Sequence, residues 1–362
     1  MDVYKANITL IGAGADVTIV RAAYSGDHAF DVTADEVTIS GFTATGATAE
    51  SGGSYCKAGI HLDHASYCNI SYNNASHNLC GILLDSSNNN KIMGNTANSN
   101  VYSTGSPGIY LDNSHNNTLT NNNAGNNSYE GICLCGSCYN TVVNNTATSN
   151  KEGFMIYFGS RNNTFIDNTA TSNRNNGIIE WSQTGAPSTW CRDNTFINNT
   201  ANDNLDGIWL YCASNNTHIN NTVENNDHGI AIDTSSNNNR VTGNIVTNNS
   251  KGIYIYSSNN SKIYNNEIKY NGDYGIKMYS SFGNCIFGNA FISNNVEHPE
   301  HTSQAYDNGV NNWRSTVKLG YYYGGSGPSY AHDHYIGNYW SDYTGVDSDG
   351  DGIGDTVYQI DG

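Results

Sequence analysis

The chain has 362 residues, 13% of them charged and 37% apolar, with 32 acidic against 15 basic side chains and a net charge of −17. Such a chain repels phosphate backbones and anionic membranes, which excludes nucleic acid as a partner, and no run of about 20 apolar residues marks a membrane span. Its 26 Tyr, 9 Phe and 5 Trp exclude a disordered polar tract.

The first ten residues, "MDVYKANITL", lack the charged start and apolar stretch of a signal peptide, so any export signal is expected to have been removed. Two irregular opening coils follow within 1–58, "NITLIGAGADVTIV" (Asn7 to Val20) and "DEVTISGFTATG" (Asp35 to Gly46). Regular coils are expected over 59–295. Gly followed by Ile or Phe recurs at Gly59, Gly81, Gly108, Gly131, Gly153, Gly177, Gly207, Gly229, Gly252 and Gly275, mostly 22 or 23 residues apart.

After each Gly the sequence alternates with period two, as in a short strand with one buried face. The inward positions carry pairs such as Ile60/Leu62, Ile132/Leu134, Phe154/Ile156, Ile208/Leu210 and Ile276/Met278. A unit of this length with several such strands and no helical period is one turn of a parallel β-helix, an all-β solenoid.

Each coil also carries an Asn in one column, from Asn73 and Asn95 through Asn122, Asn145, Asn168, Asn199, Asn221, Asn244 and Asn266 to Asn289. The hexamer "NTATSN" at Asn145 to Asn150 returns unchanged at Asn168 to Asn173. Asn tolerates a left-handed turn, and its amide can both donate to and accept from the same residue one coil away. The column is therefore expected to be an Asn ladder, part of the scaffold rather than of a site.

The outward positions change character along the chain. Asp63, Asp85 and Asp112 come first, followed by Tyr157, Trp181, Trp209, Tyr211, Tyr254, Tyr256 and Tyr279. Sugar rings stack on exposed flat aromatics while carboxylates hold their hydroxyls, so these seven aromatics are carbohydrate-binding candidates. The competing reading is a Tyr ladder that only stabilises the sheet.

The residue before each Gly forms a second column: Glu130, Glu152, Asn176, Asp206, His228 and Lys251. Glu180 is different, because it takes an inward slot that is apolar in the other coils. A buried carboxylate needs a partner or a raised pKa. Paired carboxylates serve glycoside hydrolysis, and a cationic or imidazole neighbour could take a sugar C5 proton. The catalytic candidates are Glu152, Glu180, Asp206 and His228, against the reading that Glu180 tilts toward Arg174 or Arg192. "WSQTGAPSTWCRD" (Trp181 to Asp193) is long enough to wall a cleft.

The nine Cys are irregularly spaced. Cys133, Cys135 and Cys138 lack the second pair of ligands that a zinc site needs, so packing or a disulfide is expected there, and Cys191 and Cys212 could pin the long loop. His298/His301 and His332/His334 are isolated pairs for which no transition metal is expected.

Residues 296–336 read as a Gly/Tyr-rich cap, and 337–362 as a terminal segment carrying "DSDGDGIGD". Asp347, Asp349, Asp351, the Ile353 carbonyl and Asp355 have the oxygen spacing of a calcium loop. Tyr358 stands where a bidentate Glu is usual, leaving weaker affinity or a role for Asp361.

The Asn-ladder coils from about Asn69 to Asn295, followed by "GNYWSDYTGVDSDGDGIGDTVYQIDG" (Gly337 to Gly362), resemble the NosD-like family, as found in archaeal cell-surface proteins. That family is a branch of the pectin-lyase-like superfamily. The resemblance implies a right-handed single-stranded parallel β-helix and an extracellular, cell-surface or periplasmic setting. It also implies relatives that include polysaccharide lyases, hydrolases and epimerases. NosD is associated with copper-site maturation, but this sequence has no Met- or His-rich tract to carry copper.

The sequence thus leads to a secreted module that binds polysaccharide through its aromatic and acidic face, with structural calcium. Two alternatives stay open: a lyase, hydrolase or epimerase in that groove, and a purely structural spacer or lattice protein that meets other surface-protein chains.

Overall fold

The computed structural model describes residues 1–49, 57–101, 105–298, 300–323 and 330–362. Cys56 and the 324–329 stretch of the expected cap lie outside them. The chain divides into two compact units, Met1–Leu205 and Asp206–Gly362. Each is a parallel β-helix, and among the described residues the only helical turn is Pro187–Thr189 in the long loop.

In the first unit, strands such as Ala58–Asp63, Cys80–Asp85, Glu130–Cys135 and Glu152–Tyr157 stack in one parallel sheet, with Ile132 opposite Phe154 and Leu134 opposite Ile156. Three-residue strands build a second sheet, Thr141–Val143 on Thr164–Ile166, and a third, Thr146–Thr148 on Thr169–Thr171. The opening coils keep the same register, with Asp2–Val3 on Asp31–Val32 and Phe30–Val32 on Ile60–Leu62. The second unit repeats the plan with Asp206–Tyr211, His228–Asp233, Lys251–Tyr256 and Ile276–Tyr279.

The inward positions are buried as the alternation requires, including Ile60, Leu62, Phe154, Ile156, Ile208, Leu210 and Met278. Phe165 and Phe196 stack at 4.8 Å between coils. Burial of each such side chain stabilises the fold by about 1.5–3 kcal/mol. The Gly that opens each long strand is set by close approach. A Cβ on Gly153 would stand 2.4 Å from the Gly177 carbonyl oxygen and 3.0 Å from the Ala170 methyl.

Beside a row of buried Ser from Ser87 through Ser114 and Ser137 to Ser160, the polar half of the core holds three Asn ladders. One runs Asn73, Asn95, Asn122, Asn145, Asn168, a second Asn78, Asn100, Asn127, Asn150, Asn173, and a third Asn90, Asn117, Asn140, Asn163. The Asn145 Oδ1 accepts from both the backbone N–H (2.9 Å) and the Nδ2 (2.9 Å) of Asn122, while its own Nδ2 donates to the Leu119 carbonyl. The repeated hexamer therefore holds rungs of two ladders, with Ala147 or Ala170 buried between them.

The expectation that the ladder Asn takes the left-handed turn is corrected by the structure. The residue before it does so: Asn144 (φ 54°), Asp167 (φ 55°), Ser149 (φ 58°) and Gly243 (φ 68°) precede Asn145, Asn168, Asn150 and Asn244. A left-handed residue turns the chain so that the next side chain points inward.

In the second unit all three ladders end on residues from beyond 295. Asn284 is met by Asn311, Asn289 by Asn338 and Asn294 by Gln304. Trp340, largely buried, stacks between Phe291 at 4.3 Å and Tyr358 at 4.1 Å, which covers the last inward aromatic.

Candidate functional site

In the second unit the outward positions form a half-exposed aromatic platform. The Trp209 and Tyr211 rings are 5.5 Å apart, Tyr254 and Tyr256 lie nearly parallel at 6.4 Å, and Tyr279 is 6.4 Å from Tyr254 and 4.9 Å from Tyr306. Between Trp209 and Tyr254 the intervening coil supplies Ala231, and between Tyr211 and Tyr256 it supplies Asp233. The small Ala231 is buried at the platform's centre, with Asp233 beside it. Sequence reading did not single out Tyr306, because it lies past the last Gly-Ile repeat. Burial holds the Tyr254 hydroxyl above its ordinary range.

A polar row borders this platform. Each long strand kinks at its Gly, since a Cβ on Gly207 would point inward onto Val223 at 2.3 Å. The residue before the Gly therefore faces the same way as the aromatics, and the His228 ring lies 5.5 Å from Tyr254. His228 Nδ1 is 2.7 Å from Asp206 Oδ1 and 3.4 Å from Asp227 Oδ2, while Nε2 is 3.0 Å from Lys251 Nζ. Two carboxylates at Nδ1 and an ammonium at Nε2 select the Nδ1–H tautomer, with Nε2 accepting. Two of the four catalytic candidates, Asp206 and His228, are thus brought together, and Lys251 joins them as a member that only its column position signalled.

The other two candidates belong to the first unit and serve as hydrogen-bond acceptors in its wall. Glu152 accepts from Asn175 Nδ2 (2.9 Å), Asn176 N–H (3.0 Å) and Asn176 Nδ2 (2.7 Å). Glu180 points inward, fully buried, and accepts from Asn194 Nδ2 at 2.9 Å. Arg174 reaches instead to the Ser128 carbonyl, and Arg192 lies beside Asp193. Glu130, noticed in the sequence only as a column member, has the more unusual chemistry: burial, then the neighbouring Glu152 charge, push its carboxyl up to about 7. Tyr157 and Trp181 pack at 5.3 Å.

The long loop is closed by Ser182 Oγ on the Cys191 N–H at 2.8 Å, and the Cys191 thiol, pushed up to about 12 by burial, donates to the Ile156 carbonyl. Cys133, Cys135, Cys138, Cys191 and Cys212 are all free thiols, so no disulfide pins the long loop and, of packing or a disulfide in the Cys133–Cys138 run, no disulfide is formed.

At the C-terminus, ligand oxygens of Asp347, Asp349 and Asp351 lie within 4.8 Å of one another. Asp347 accepts from the N–H groups of Asp351 and Gly352, and Asp355 from that of Ser348. Asp361, the candidate twelfth-position substitute, is held elsewhere by Tyr274 and Thr302, and Tyr358 donates to Asp342. Two further groups have metal-ligand spacing, His28/Asp31/His61 and His298/Glu300/His301. A cavity of about 1120 Å³ in the second unit is lined by Tyr264, Phe287, Trp313, Tyr339 and Trp340.

A family model described as periplasmic copper-binding protein (NosD) matches residues 4–190 and 171–345. No curated protein is a significant sequence match. Among solved structures, the A-module of the Azotobacter vinelandii mannuronan C-5 epimerase AlgE6 aligns over 85% of this chain and 84% of that one, with TM-score 0.61 and 15% identity. A mutant of the periplasmic alginate epimerase AlgG aligns over 80% and 78%, with TM-score 0.57 and 14% identity. The catalytic domain of a GH87 alpha-1,3-glucanase in complex with tetrasaccharides aligns over 86% and 62%, with TM-score 0.51 and 17% identity. At these identities the likeness is one of fold.

The family's description implies copper. Two imidazoles and a carboxylate at His28, His61 and Asp31 are a donor set copper accepts, and His61 Nε2 is buried without a hydrogen-bond partner, whereas the Asp347 group offers only oxygens. With both matches taken together the family model spans well over half of the chain, which therefore belongs to the NosD family.

Proposed function

We propose that this protein works outside the cytoplasm as a polysaccharide-binding β-helix, holding the glycan across the aromatic platform of its second unit. The observation that carries this reading is the run of half-exposed rings from Trp209 to Tyr306, bordered by Asp206, His228 and Lys251. Ring faces take up the apolar faces of sugars, while the polar row holds hydroxyls or a uronate carboxylate. The similarity in fold to a mannuronan C-5 epimerase, an alginate epimerase and an alpha-1,3-glucanase supports the assignment. Calcium at Asp347, Asp349 and Asp351, with the Ile353 carbonyl and Asp355 nearby, is part of the proposal as a structural ion that fixes the terminal segment.

A second reading, catalysis, is favoured by the geometry of His228. Asp206 fixes its Nδ1–H, and Lys251 donates to its Nε2. A uronate carboxylate that drew the Lys251 ammonium to itself would free Nε2 to accept a proton from the sugar, the step that a lyase and an epimerase share.

The test is incubation with uronate-containing and neutral polysaccharides plus calcium, following gel retardation, reducing ends and the absorbance of unsaturated products together. Binding predicts retardation that Trp209→Ala and Tyr254→Ala weaken by about tenfold or more, as expected for the loss of a stacking ring. New ends lost in His228→Asn while retardation persists would establish the catalytic reading. No retardation with any glycan would sink both readings and leave the β-helix as a structural spacer.

A further inference from the structure

His28, Asp31 and His61 meet at the beginning of the first unit because the register sets Asp31 beside His61 on adjacent strands, 30 residues apart in sequence. Asp31 Oδ1 lies 2.9 Å from His61 Nδ1. That contact places the proton on Nδ1 and leaves the lone pair on Nε2, which is buried and has no hydrogen-bond partner. A carboxylate bonded to one imidazole nitrogen, with the other nitrogen bare, is the arrangement that orients a metal-binding histidine.

The second imidazole stacks on the first. The rings of His28 and His61 lie 4.2 Å apart at 18°, and His28 is 5% exposed. Two donors converge on His28: the Ala58 N–H on Nδ1 at 3.1 Å and the Lys57 ammonium on Nε2 at 3.2 Å. A neutral imidazole has one acceptor nitrogen, so one donor is unmet.

The geometry points to a transition-metal site formed by His28, Asp31 and His61, taking a divalent ion of the nitrogen-preferring class, with Cu(II) bound most tightly. The three residues offer ligand atoms within 4.8 Å of one another, and the Irving–Williams order favours Cu(II) at such a set. The ion would occupy the bare His61 Nε2 and displace Lys57, whose flexible stem lets it swing aside. The His28/Lys57 contact thus marks where the site holds positive charge when no metal is bound. The other imidazole group differs in kind, because His298 and Glu300 are exposed and paired with each other.

The experiment is titration of the metal-free chain with Cu(II), followed by calorimetry and electron paramagnetic resonance. One tight equivalent is expected, with hyperfine coupling to two imidazole nitrogens. Asp31→Asn should weaken it by about 10- to 100-fold, as removal of a metal-orienting partner does. His61→Gln should weaken it further, Lys57→Met should tighten it, and His298→Gln should leave it unchanged. Circular dichroism checks that each variant is folded. Should His61→Gln not fold, the coupling pattern and the Lys57→Met affinity decide on their own. Absence of tight binding, a spectrum without imidazole nitrogens, or loss of the site in His298→Gln overturns the assignment.

Discussion

Glu130 shows how far a wall position can move a side chain. Its carboxyl rises from the ordinary 4.5 to about 7 through burial first and the Glu152 charge second, so the folded chain holds a proton that the unfolded chain releases between those values. Folding is therefore favoured below about pH 4.5, and that contribution is lost as pH rises through 7, on the order of 2–3 kcal/mol. Glu130→Gln should match the parent in denaturant midpoint near pH 3.5 and exceed it at pH 8, and equal midpoints at pH 8 would refute the burial argument. At His228 the corresponding check is spectroscopic. Ring nitrogen shifts should report Nδ1–H with an unprotonated Nε2 that accepts from Lys251, and Asp206→Asn should relax that preference.

At the scale of the element, the two halves of each turn can be separated. Asn145→Ala removes the acceptor of two Asn122 donors and should cost about 2–4 kcal/mol in chemical denaturation. Asn144→Gly, at the left-handed position one residue earlier, should change stability by less than about 0.5 kcal/mol, because Gly adopts that conformation freely. Gly94, Gly243 and Gly288 already occupy the same slot in other coils. Comparable losses for both variants would show that the ladder is not the source of the stability.

For the molecule as a whole, the exposed end of a stacked sheet is a hazard unless something terminates it. Here Asn311, Asn338 and Gln304 finish the ladders while Trp340 covers Phe291. Trp340→Ala should lower the unfolding free energy of the second unit by about 3–5 kcal/mol and promote association of the uncovered end, both visible in thermal melts with light scattering. Calcium held by Asp347, Asp349 and Asp351 should add about 2.7 kcal/mol at roughly a hundredfold excess over Kd, raising Tm, and Asp349→Asn should abolish the shift. A Tm that does not respond to calcium would remove the ion from the account.

The period of 22 or 23 residues by itself determined the parallel β-helix, the inward Ile, Leu and Phe positions and the Asn73-to-Asn289 column. Stacking identical coils turns a spacing in sequence directly into a neighbour in space. The same logic made the Asp206, His228, Lys251 column legible, though not its hydrogen bonds. The ladders through Asn78 and Asn90 went unread because each Asn column looked like one more turn residue in a chain rich in them. Only the tertiary structure decided what departs from the period. Asn338 reaches Asn289 across 49 residues, and His61 meets Asp31 across a coil of 30. Glu180 accepts a hydrogen bond from Asn194 within the wall, a partner 14 residues away that no period signals. Insertions and caps have no repeat to fix their register, so packing against the finished coils sets where their side chains fall.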